Sequence, residues 1–148
     1  MRVAATDDGM IEGLRRDRPA FLASVTNAAE AEMAFRGGAG IIDGKDPATG
    51  ALGALDAGAV RDIVEVISGR VPVSATIGDL HAEADLMVPA AAAMSATGVD
   101  IVKIGFFGDE DPQRAIVALG QESRPPIQLV AVPTAPKARP RMRCWVVM

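Results

Sequence analysis

Lysine is scarce in this chain: of its 15 basic residues only Lys45, Lys103 and Lys137 are lysines. Arginine supplies the ordinary surface charge, so each lysine invites a chemical explanation. A single cysteine excludes an internal disulfide framework and fits a reducing, cytoplasmic setting. Positive charge is not in excess either. The net charge of −4 gives no electrostatic case for a nucleic acid or an anionic membrane surface. The opening stretch MRVAATDDGMIEGLRRDRPA lacks the apolar run of a signal peptide. No window approaches the roughly 20 uninterrupted apolar residues of a membrane span, and the Ala-rich MVPAAAAMSATG is short and ends in Gly. No G-x-G-x-x-G follows the first predicted strand, which argues against a dinucleotide site. No cluster of His, Cys and carboxylates has the spacing of a metal site, and no cofactor is expected. His81, the only histidine, falls in a polar loop and reads as a surface residue.

What the chain does have is apolar residues, 49% of 148, enough for one domain with a substantial core. They come in alternating runs. AFLASV (20–25) reads as a buried strand. Asn27 then caps AAEAEMAFRGG, with Glu30 as capping-box partner and Gly37–Gly38 as the stop. GIIDGK is a second strand, and Val60, Ile63, Val64 and Ile67 share one face of a helix that ends at Gly69. VPVSATIGD (71–79) is a third strand. Met87, Ala90, Ala91 and Met94 form the face of a further helix, with Pro89 as a kink or first-turn residue. DIVKIGFFG (100–108) is a fourth strand, Asp111–Pro112 reads as N-cap and N1 of a helix to about Leu119, and IQLVAV (127–132) is a fifth strand. Successive βα units imply an α/β fold with a parallel sheet, either doubly wound or part of a (β/α)8 barrel.

The barrel version makes a prediction by parity. Ile41, Asp43 and Lys45 point one way along the second strand, and Ile101, Lys103 and Gly105 share a face of the fourth. A charge facing the helix layer unpaired costs several kcal/mol, so Asp43, Lys45 and Lys103 are expected to face the barrel interior. Alternate strands fill the same interior layers, which brings the two lysines toward one site at the C-terminal mouth. An amine there can attack a carbonyl, and the resulting iminium is an electron sink for carbon–carbon chemistry. Burial and a second ammonium favour a neutral amine; a carboxylate instead orients it or shuttles protons. The plainer alternatives stay open: Lys45 as a solvated turn residue, Lys103 and Asp43 as a structural salt bridge, Asp79 as the cap of a turn.

The segments FLASVTNAAEAEMAFRGGAGIIDGKDPATGALGAL, PVSATIGD and GVDIVKIGFFG together resemble the (5-formylfuran-3-yl)methyl phosphate synthase family of methanofuran biosynthesis, which also occurs in methylotrophic bacteria. The resemblance implies a (β/α)8 barrel, here a partial one of about five parallel strands. It implies a class I aldolase-like lyase of one-carbon metabolism, condensing two molecules of glyceraldehyde 3-phosphate through a lysine Schiff base. It puts the catalytic lysines on Lys45 and Lys103 and the acid on Asp43, and through SATIGD it makes Ser74, Thr76 and Asp79 expected substrate contacts. The matching segments run from about residue 21 to 108, within an expected partial barrel over 21–132. Residues 1–20 read as a leader outside the family. The tail 133–148, with four basic residues, no acid and three prolines, reads as disordered, out-of-frame or truncated sequence. A whole barrel needs roughly 200 residues or more, so two other readings stand beside the enzyme. One is an inactive half-barrel that forms homo-oligomers through open sheet edges, and the other is a binding protein with a basic tail.

Overall fold

The computed structural model describes residues 20–80, 84–106, 113–122, 128–133 and 145–147. Strands β1 (Leu22–Val25), β2 (Ile41–Gly44), β3 (Val73–Thr76), β4 (Ile101–Phe106) and β5 (Gln128–Pro133) alternate with helices α1 (Ala28–Arg36), α2 (Ala57–Ile67), α3 (Ala84–Ser95) and α4 (Gln113–Glu122). The five strands are parallel and lie side by side in chain order. That order decides between the two α/β alternatives. A doubly wound sheet reverses direction at a switch point, placing helices on both faces. Here each unit adds its strand to the same side, which is how a (β/α)8 barrel wall grows.

The alternation of side chains follows. Ile42, Val73, Ala75, Val102 and Ile104 cluster with Ala31, Val60, Ile63, Ile67, Met87, Ala91, Met94, Ala115 and Leu119 of the helices. Burying an aliphatic side chain of this size contributes about 1.5–3 kcal/mol, and this sheet–helix layer is the main core. The residues between them, Ser24, Asp43, Ser74 and Ile101, stand in register as one row across β1 to β4. Thr76 and Lys103 begin the next row toward the C-terminal ends.

The helix boundaries have identifiable causes. Asn27 Oδ1 accepts the Glu30 N–H at 2.9 Å, as expected of an N-cap. The returning arm differs from a standard capping box: Glu30 Oε2 accepts from the Thr26 N–H and hydroxyl, one residue earlier than Asn27. Asp56 caps α2 by accepting from the Gly58 and Ala59 N–H groups. That helix stops where Ser68 and Gly69 turn left-handed. Of the face expected on α2, Val60, Ile63 and Ile67 are buried and Val64 is half-buried. Pro89 lies inside α3 and is exposed, neither a first-turn residue nor part of the buried face. On the outer surface, Arg70 donates to both Glu32 carboxylate oxygens and to the Ile67 and Val66 carbonyls, with its guanidinium 4.1 Å above the Phe35 ring. This ties α1 to the end of α2.

One expectation is corrected. No element was predicted after β5, yet Trp145–Val147 form β6, antiparallel to β5. The outer edge of β5 offers unpaired backbone groups, and a short apolar run can take them. The sheet edge expected to be open at the fifth strand is therefore occupied, while β1 is an edge among the described residues. Residues 1–19 of the expected leader (1–20), His81, the Asp111–Pro112 cap and residues 134–144 and 148 of the tail lie outside the described residues.

Candidate active site

The sheet face opposite the helices carries the charged residues. Asp43 is 1% exposed, and both carboxylate oxygens are occupied. Ser74 Oγ donates to Oδ1 at 2.6 Å; Oδ2 accepts from Lys103 Nζ at 2.6 Å and from Ser24 Oγ at 3.2 Å. Donors from β1, β3 and β4 thus converge on one acid of β2. A buried carboxylate without such partners would cost several kcal/mol, which explains why this face of the sheet holds hydroxyls and an amine where aliphatic residues would otherwise pack. Lys103 keeps 14% of its side chain exposed, and Ser24 on strand β1 is exposed, so the cluster touches solvent at both of these donors.

Lys45 is placed differently. It follows the last residue of β2 and is half-buried, and its side chain has no hydrogen-bond or ion-pair partner among the described residues. Its backbone is fixed from both sides: the Lys45 N–H donates to the Val25 carbonyl, and the Asp46 N–H to the Gly53 carbonyl, each at 3.0 Å. Of the three residues expected to share one face, Asp43 and Lys103 are in direct contact, while Lys45 at the strand end has no partner among the described residues. One strand, β3, lies between β2 and β4, which sets them about 10 Å apart.

The loop after β2 folds back across β3. Asp79 accepts from the Ala51 N–H at 2.9 Å through Oδ2 and from the Leu52 N–H at 2.7 Å through Oδ1. The Thr76 hydroxyl lies 2.6 Å from the Leu52 carbonyl and 3.0 Å from that of Gly53. The three expected substrate contacts are thus engaged within the chain, Ser74 with the acid and Thr76 and Asp79 with the loop. Sequence reasoning passed over Ser24. Its signal was there, a lone hydroxyl in the apolar run FLASV with the parity that faces Asp43.

Strand order and a lysine–carboxylate cluster on the sheet face opposite the helices mark a segment of a (β/α)8-barrel protein. Over 76% of this chain and 44% of the other, the fold matches a dihydrodipicolinate synthase from Acinetobacter baumannii crystallised with pyruvate, with a TM-score of 0.62 at 15% identity. A dihydrodipicolinate synthase from Bacillus anthracis matches with a TM-score of 0.58 at 16% identity, over 76% of this chain and 44% of that one. The 4-HFC-P synthase family pattern matches residues 21–136, and the chain belongs to that family. It is 38% identical over 107 residues to the (5-formylfuran-3-yl)methyl phosphate synthase of Methanopyrus kandleri, covering 72% of this chain and 45% of that one. It is 39% identical over 98 residues to the synthase of the same name from Methanosarcina acetivorans, covering 66% and 42%. The chain therefore spans less than half the length of these relatives. No helix among the described residues is long and apolar enough to cross a membrane.

Proposed function

We propose that the chain carries the imine-forming site of a cytoplasmic (5-formylfuran-3-yl)methyl phosphate synthase acting on glyceraldehyde 3-phosphate. Lys45 is the nucleophile, and Lys103 with Asp43 is the proton-transfer pair. One observation carries this assignment: the two lysines are in different states of engagement. The amine of Lys103 donates into a buried acid, while that of Lys45 has no partner among the described residues. An ammonium held in an ion pair has no lone pair to offer a carbonyl; the unengaged amine is the one able to attack once deprotonated.

In this reading the Lys45 amine adds to the aldehyde carbon of one triose phosphate. The carbinolamine loses water, and the resulting iminium acidifies the neighbouring C–H. The Lys103–Asp43 pair takes and returns that proton, with Ser24 and Ser74 holding the carboxylate in place. The enamine attacks the second triose. The overall change, two triose phosphates to one furan aldehyde phosphate with release of one inorganic phosphate and two waters, needs no oxidant or reductant. The span between the two strands suits a three-carbon substrate held between two lysine side chains.

The test is intact mass and peptide mapping after incubation with glyceraldehyde 3-phosphate and borohydride. A reduced adduct on Lys45 that disappears in Lys45→Ala and forms more slowly in Lys103→Met is expected. An adduct undiminished in Lys45→Ala would overturn the assignment. A second reading, self-association of a half-barrel, is favoured by the unpaired edge of β1, beside which Phe21 and Leu22 are 63% and 40% exposed. Sedimentation that is independent of concentration would rule it out.

A further inference from the structure

The loop between β2 and α2 is held by side chains that belong neither to it nor to the acid cluster. Asp79 accepts two of its backbone N–H groups, and a carboxylate accepting two amides is a strong local anchor. Thr76, wholly buried, donates to the loop's return limb at the Leu52 and Gly53 carbonyls. The Gly53 carbonyl has a second task, since it accepts the Asp46 N–H and so closes the loop immediately beside Lys45. Gly50 has φ +140, and a Cβ there would overlap the Asp79 carboxylate; a Cβ at Gly53 would overlap the Asp46 carbonyl and the Thr49 hydroxyl. The backbone is small where the anchor needs it to be small. A path of contacts runs from Asp79 and Thr76, through Leu52 and Gly53, to the amide that follows Lys45.

We infer that Asp79 and Thr76 are positioning residues that set where the Lys45 amine stands, and that neither binds substrate. The inference rests on the assignment of Lys45 as the imine former. A lysine at a strand end, with no side-chain partner among the described residues, depends on its backbone for its aim. The two amides flanking its Cα are what fix that backbone. A loop released at Gly53 frees one of them, and a misplacement of about 1 Å is enough to slow a positioned reaction by up to about a hundredfold.

The experiment measures the rate of borohydride-trapped adduct on Lys45 against glyceraldehyde 3-phosphate concentration. It compares the wild type, Thr76→Val, Thr76→Ser, Asp79→Asn and Gly50→Ala, with hydrogen exchange of the peptide spanning residues 45–53 followed in each. Thr76→Val, Asp79→Asn and Gly50→Ala should lower the saturating rate by about ten- to a hundredfold. They should leave the half-saturating concentration unchanged and quicken exchange of the loop, whereas Thr76→Ser, which keeps the hydroxyl, should hold the rate. A raised half-saturating concentration at an unchanged saturating rate would make Thr76 and Asp79 substrate ligands and overturn the inference. So would a folded Thr76→Ser as slow as Thr76→Val, or a rate indifferent to every variant. A wild type that forms no adduct removes the Schiff-base assignment and this inference with it. An adduct on Lys45 that the variants leave unchanged removes the inference alone.

Discussion

The pair formed by Asp43 and Lys103 is the interaction whose energetics the structure lets one work out most fully. Asp43→Ala removes the acceptor for one ammonium and two hydroxyls. Breaking a buried ion pair from one side typically costs about 3–5 kcal/mol, because the remaining charge is stranded. Lys103 retains 14% exposure and Ser24 is exposed, so both can turn to water. The expected cost is therefore at the lower end, about 3 kcal/mol. Lys103→Met leaves the acid, 1% exposed, with its two serine donors but no counter-charge. That charge cannot turn to water, so the expected cost is toward the upper end, about 4–5 kcal/mol. In the double variant nothing charged is stranded, and the loss should fall short of the sum by about 2 kcal/mol. Urea denaturation of the four proteins, with equal slopes as a check on two-state behaviour, supplies the cycle. Single-variant losses that add to within about 0.5 kcal/mol would mean the two groups do not depend on each other, and the contact would carry no stability.

Other consequences are simpler to read. Gly53→Ala would push a Cβ into the Asp46 carbonyl and the Thr49 hydroxyl, and should cost about 1–3 kcal/mol by urea denaturation. Asn27→Ala deletes the acceptor of the Glu30 amide and should cost about 1 kcal/mol, a drop of about 4 °C in Tm for a chain of this length. Hydrogen bonds from Arg70, then Arg36, hold the Glu32 carboxyl down from 4.5 to about 2. A lowered pKa contributes stability that is complete above 4.5 and lost as pH falls through about 2. Glu32→Gln should thus be less stable than wild type at pH 6, and the two acid-denaturation curves should converge near pH 2. A gap that persists at pH 2 would show that the carboxylate's charge is not the cause.

The fold could be read from the sequence because its signals are local. Apolar runs and helical faces lie within single elements, and Asn27 and Gly38 mark the ends of α1 in three or four residues each. Parity carried the reading one step further, since a charge on a strand with a helix-facing side has only one inexpensive direction in which to point. Parity turned Asp43, Lys45 and Lys103 to one face and brought the two lysines together; the contact that forms across 60 residues is the salt bridge left open as the plainer alternative, Asp43 with Lys103. Parity could not see the anchor at Asp79, because a carboxylate at a strand end looks the same whether it meets substrate, solvent or the backbone of another loop. Only the path of the 46–53 segment across β3 brings the Ala51 and Leu52 amides to it. Three apolar residues at Trp145–Val147 were too short to stand out from the prolines and arginines before them; a free strand edge made them a strand.

Strand order has a consequence for how the protein is born. Each strand from β2 to β5 pairs with its immediate predecessor, from Leu22 beside Ile41 to Ile101 beside Gln128. The sheet can therefore grow by accretion as the chain leaves the ribosome, each unit docking on one already in place. The acid cluster does not share this convenience. Asp43 arrives with β2, gains Ser24 at once and Ser74 with β3, but meets its cation only when β4 emerges. Until then the nascent domain holds a carboxylate with no counter-ion. Synthesis halted between β3 and β4 would leave the intermediate most exposed to the quality-control machinery.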